Sequence, residues 1–118
     1  MTNNPARPLH LRIALVGDFA IGPGKADLLE GIRDTGSIAA AGRRMKMSYK
    51  RAWTLVETMN ACFRAPLVET ARGGASRGGA TLTPTGEAVL ASYRRMTALA
   101  DDAVSAEIVS LRELLAED

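Results

Sequence analysis

The chain has 118 residues, 47% of them hydrophobic, with 15 basic and 13 acidic side chains and a net charge of +2. That length suits one domain with a modest core, and no apolar run reaches the ~18 residues that a membrane span needs. The single cysteine, Cys62, excludes an intrachain disulfide and fits a reducing cytoplasm, while the single histidine, His10, excludes a His-based triad or multi-His metal site.

Residues 1–10 carry Asn, Pro and Arg but no apolar segment, so a flexible tail is expected there rather than a secretory signal. Charge is unevenly spread along the rest. Residues 1–42 are neutral in sum. Residues 43–77 hold Arg43, Arg44, Lys46, Lys50, Arg51, Arg64, Arg72 and Arg77 against Glu57 and Glu69, a local +6, and residues 78–118 carry a local −4. A positive block of this density fits a polyanionic partner, nucleic acid first.

Leu11, Ile13 and Leu15 alternate with Arg12 and Ala14, which predicts a half-buried strand. Gly17-Asp18 suits a turn, with Phe19-Ala20-Ile21 returning as an antiparallel partner. Pro23 then opens a helix carrying Leu28, Leu29 and Ile32 on one side, and Gly36 stops it. Gly22-Pro23-Gly24-Lys25 lacks the full spacing of a phosphate loop and reads as a turn.

Ser37 is an N-cap for a second helix, Ile38 to Met45, with Ile38, Ala41 and Met45 on one stripe and small residues at 39–42 that admit a close neighbour. A three-residue break, Lys46-Met47-Ser48, leads into a third helix from about Tyr49 to Cys62. Two helices joined this tightly match a helix-turn-helix. Ala52, Val56, Met59 and Phe63 share the inner face of the third helix with Leu55, and Cys62 is expected to pack there as a small hydrophobe. The outer face presents Lys50, Thr54, Thr58 and Ala61, flanked by Arg51 and Glu57. Short hydrogen-bonding and basic side chains suit a major groove.

Leu67–Thr70 and Ala80–Leu82 read as strands around a glycine-rich loop holding Arg72 and Arg77. After a helix-turn-helix, this is a wing that follows the phosphate backbone and offers its arginines to a minor groove. Thr83-Pro84 caps a final helix whose apolar positions Val89, Tyr93, Met96, Ala100, Val104, Ile108, Leu111 and Leu115 recur every three or four residues. A second copy of the chain would bury that stripe; a helix broken near Asp101-Asp102 and folded back is the alternative.

The fold class expected is mainly α with small β: a winged helix-turn-helix, with a three-helix core, a β-wing and a long C-terminal helix. Residues 1–10 form the tail, 11–83 the DNA-binding domain and 84–118 a dimerisation helix. Asp101 and Asp102 are adjacent and diverge on a helix, a poor arrangement for paired acid–base chemistry, so no enzyme is expected.

Thr35-Gly36-Ser37-Ile38, then Ser48-Tyr49-Lys50-Arg51-Ala52-Trp53, Glu57-Thr58-Met59-Asn60, Leu67-Val68-Glu69 and Leu82-Thr83-Pro84-Thr85-Gly86 after a double-glycine wing resemble the N-terminal domain of the ModE family of molybdate-responsive regulators. The order holds from about Leu11 to Leu99. The resemblance implies a homodimer on double-stranded DNA, with dimer contacts from the N-terminal strands and the helices around the helix-turn-helix. It places Ser48, Tyr49, Lys50 and Arg51 at the start of the recognition helix and Arg72 and Arg77 on the wing. Thr54 lies on the same outer face, Lys46 reaches phosphate from the turn, and Trp53 is read as packing. Molybdate enters only through the family: its members bind it in C-terminal β domains, for which this chain leaves no room, so no cofactor or metal is expected here. A sequence-specific repressor is the reading that follows. The alternatives are a protein-interaction adaptor that uses the acidic, apolar C-terminal helix, and an oxyanion sensor with a dimer-interface site. The adaptor has no use for a basic block shared between helix and wing.

Overall fold

A computed structural model describes residues 9–71 and 79–117. Its elements in order are β1 (Ile13–Val16), β2 (Phe19–Ile21), α1 (Pro23–Thr35), α2 (Ile38–Arg44), α3 (Tyr49–Cys62), β3 (Val68–Thr70), β4 (Ala80–Leu82) and α4 (Pro84–Glu113). β1–β2 and β3–β4 are separate antiparallel hairpins, and α1 lies at the centre, touching α2, α4, β2 and β4.

Local chemistry explains the boundaries. Pro23 opens α1, where a missing N–H costs nothing, and Gly36 closes it at φ 73°, its N–H donating to the Ile32 carbonyl at 2.8 Å. The hydroxyls of Ser37, Ser48 and Thr83 each accept the backbone N–H three residues on, capping α2, α3 and α4. Between α2 and α3 the chain turns through Lys46, whose φ of 59° makes it the one non-glycine residue with positive φ among those described. Its N–H donates to the Arg43 carbonyl at 3.0 Å, and the Met47 N–H donates to the Gly42 carbonyl at 2.9 Å.

The helices approach closely because their crossing points are small. A Cβ on Gly42 would sit 3.1 Å from the Ala52 Cβ, so α2 and α3 meet there, and α1 crosses α2 at Gly31 and Ala41 in the same way. Leu28, Leu29 and Ile32 of α1, Ala41 of α2, and Ala52 and Met59 of α3 are completely buried in this core.

Several sequence expectations need correcting. Cys62 is exposed: α3 ends there, and Phe63 turns back in its place to meet Phe19 edge-on, 5.7 Å between ring centroids. In β1 the alternation is real but only Ile13 packs against the core, while Leu15 and Val16 are 49% and 59% exposed. The reason is position: the hairpin covers the core with its second strand, and Phe19, Ala20 and Ile21 are all buried.

α4 is one unbroken helix of 30 residues, so the break near Asp101-Asp102 does not occur. Within one protomer its buried face is Gly86, Leu90, Tyr93 and Thr97. Of the stripe beginning at Val89, which was expected to be covered by a second copy, Tyr93 is the member buried within the chain, and Leu115 lies past the helix end. Gly86 is required there, because a Cβ would collide with the Leu67 carbonyl oxygen. Arg94 ties α4 to α1 through Asp27 (3.0 Å) and Glu30 (2.6 Å). Burial alone would lower its pKa, but the hydrogen bonds to both carboxylates outweigh that and hold the guanidinium above its ordinary range.

Candidate nucleic-acid interface

The helix-turn-helix leaves α3 with one face in the core and the rest in solvent. At 100° per residue, Lys50, Thr54, Glu57 and Ala61 project along one line, with Thr58 beside them, and all five are exposed. Lys46 is exposed in the turn before them. The ion pairs among the described residues engage Arg33, Arg44 and Arg94, so Lys46, Lys50 and Arg51 point outward with no carboxylate partner among those residues. The result is a helix face with hydrogen-bonding capacity and positive charge.

Ser48 acts locally, its Oγ accepting the Arg51 N–H at 3.1 Å and so fixing the first turn of α3. Tyr49 is 57% exposed and stacks on Trp53, with ring centroids 6.3 Å apart and planes 25° from parallel. Trp53 is half-buried and packs against the core, as a packing residue should, but its stacked partner makes it part of an aromatic wall. That wall and the wing root (Thr70, Ala71, Gly79, Ala80) enclose a cleft of about 320 Å³ with Ser37 at its edge.

The wing hairpin pairs Val68 with Leu82, Glu69 with Thr81 and Thr70 with Ala80, and the Ala71 N–H donates to the Gly79 carbonyl at 2.8 Å. Arg72 and Arg77 lie outside the described residues. The described part of the wing is its hydrogen-bonded base. The Ala80 N–H donates to the Gly36 carbonyl at 2.9 Å, tying β4 to the end of α1.

Asn60 sets the angle between α3 and the wing, a role that sequence reasoning missed. Its Oδ1 accepts from the Leu67 and Val68 N–H groups at 2.8 and 3.1 Å, and its Nδ2 donates to the Val68 carbonyl at 3.1 Å. A polar residue next to Met59 in the last turn before a strand was the available signal. Thr83 completes the joint from the other side, donating to the Pro66 carbonyl at 2.7 Å.

No protein-family model matches the chain. Among curated proteins, it is 48% identical over 73 residues to the molybdenum-pterin-binding protein MopB of Rhodobacter capsulatus, a match covering 62% of this chain and 27% of MopB. It is 38% identical over 71 residues to the DNA-binding transcriptional dual regulator ModE of Escherichia coli K12, covering 60% of this chain and 27% of that regulator. The chain thus spans about a quarter of the length of either relative. Among solved structures, the CbnR DNA-binding domain in complex with DNA superposes with a TM-score of 0.58 at 23% identity, over 75% of this chain and 95% of that one. At that identity the superposition establishes the fold, a winged-helix domain with a long C-terminal helix. Over the matched residues, this winged-helix chain is similar in sequence to the ModE and Mop proteins.

Proposed function

We propose that the chain is a DNA-binding transcriptional regulator that acts in the cytoplasm as a homodimer and represses from a pseudo-palindromic operator. The observation that carries this reading is the outer face of α3: Lys50, Arg51 and Thr54 exposed beside Lys46, on a winged-helix frame. Lys50 and Thr54 are placed to meet base edges, and Lys46 to meet phosphate. Arg72 and Arg77 act from the wing on the backbone or minor groove. The names of the ModE relatives support the same reading.

Two α3 helices related by a two-fold axis reach major-groove faces ~34 Å apart, one turn of B-DNA. Support for the dimer comes from apolar surface that one protomer leaves uncovered: Leu15 and Val16 on the first hairpin, and Met96 and Leu99 on α4. An operator overlapping a promoter would exclude polymerase, and repression follows.

Binding to the upstream region of the protein's own operon, measured by gel shift across a salt series, tests the reading. With about four phosphates neutralised per protomer, the logarithm of affinity should fall against the logarithm of salt with a slope of about −7 for the dimer. Lys50→Ala should reduce the ratio of specific to random binding by about tenfold, whereas Arg77→Ala should weaken both equally. A slope near zero, or an unchanged ratio for Lys50→Ala, removes α3 as the reading helix.

A further inference from the structure

An α-helix laid in a major groove has a sugar-phosphate strand on each flank, because the groove is about as wide as the helix with its side chains. On α3, Tyr49 and Trp53 occupy the flank facing the wing. Arg51 and Leu55, also four residues apart, occupy the opposite flank. There they border a second cleft of about 220 Å³ against the start of α1 and the first hairpin.

Three cations from separate parts of the chain line this cleft: Arg12 just before β1, Lys25 in the first turn of α1, and Arg51 of α3. Ala20, Met47 and Leu55 contribute apolar surface to it. None of the three cations forms an ion pair with a described residue, and the first turn of α1 contains no carboxylate. Lys25 is held in place, its Nζ 5.2 Å from the centroid of the Phe19 ring. Like charges gathered without a counter-charge repel one another unless an anion joins them.

We infer that Arg12, Lys25 and Arg51 form a phosphate-binding cleft that grips the DNA strand on the side of α3 away from the wing. The inference rests on the DNA-binding reading and extends it to two residues outside the basic block of the sequence. It gives the protein a clamp on both strands bordering the groove, one arm being the wing and the other this cleft. Gly22-Pro23-Gly24-Lys25 is the cap and first turn of α1 rather than the turn expected from the sequence, so the start of the helix delivers Lys25, and side chains rather than loop amides bind the anion.

The test is binding of the full chain to a labelled, mixed-sequence duplex of about 30 base pairs across a salt series, by fluorescence anisotropy. Lys25→Gln and Arg12→Gln should each weaken binding about threefold or more and make the salt slope shallower by about one per protomer, with unchanged thermal unfolding. Arg95→Gln, an exposed site on α4 that removes the same charge, should leave affinity and slope in place. If wild-type protein shows no salt-dependent binding, the DNA reading falls and the cleft assignment with it. If wild type binds steeply while Lys25→Gln and Arg12→Gln match it or match Arg95→Gln, the cleft assignment alone is overturned. Inorganic phosphate at constant ionic strength supplies the last arm. Competition with DNA that disappears in Lys25→Gln is the expected result, whereas phosphate binding that requires Lys25 yet leaves DNA affinity unchanged would make the cleft a free-oxyanion site and overturn its assignment to the strand.

Discussion

Asn60 shows how much of the interface geometry can depend on one side chain. It is half-buried, and its single amide satisfies two backbone N–H groups and one carbonyl at the join between α3 and β3. Removing it leaves those groups without partners in a place water reaches poorly, which costs more than an exposed hydrogen bond. Asn60→Ala should therefore destabilise the fold by about 2–3 kcal/mol in urea unfolding. Asn60→Asp keeps the two acceptor contacts and should lose clearly less. Equal losses for the two variants would show that side-chain packing, rather than the pair of accepted hydrogen bonds, supports the joint. Thr83 and Gly86 work at the same joint, and the hydroxyl and the missing Cβ together bring α4 against the Leu67 carbonyl.

The elements differ in how plainly the sequence announces them. α3 was legible to its ends from its inward positions, Ala52, Val56 and Met59, and the break before Tyr49, whereas the capping role of Ser48, read from the sequence as a DNA contact, emerged only from the structure. α4 was legible as a helix but not in its orientation. It is apolar on more than one side, and the docked side is decided by where α1 lies. Leu90 and Thr97 therefore go inward, the Thr97 hydroxyl being satisfied by the Tyr93 carbonyl at 3.1 Å. Of the candidate site, the α3 face could be read from periodicity, whereas the cleft of Arg12, Lys25 and Arg51 could not. Its members are distant in sequence, and two of them sit in a stretch whose net charge is zero. The half of α4 beyond Thr97 carries Leu99, Val109 and Leu111 in solvent. Truncation after Ala100 should leave a folded monomer and weaken self-association at least tenfold, since each such side chain contributes about 1.5–3 kcal/mol when fully buried. An unchanged mass in sedimentation would place the dimer contact elsewhere, with the first hairpin the next candidate.

The whole molecule is elongated, 58 Å along its longest axis and 31 and 22 Å across, with a radius of gyration of 16.6 Å. A compact chain of this length would have a radius of gyration of about 13–14 Å. Much of that excess belongs to α4, whose 30 residues extend about 45 Å while no residue after Thr97 is buried among those described. The consequence appears in hydrogen exchange. Isolated helices of about 15 residues are marginal in water, so the far half of α4 can open without the core. In dilute protein, the amide protons of residues 99–113 should exchange long before those of residues 86–97, which wait for global unfolding. Raising the protein concentration should slow exchange only in the far half. On the proposed dimer, that pattern would make the tip of α4 a built-in gauge of whether a protomer is alone.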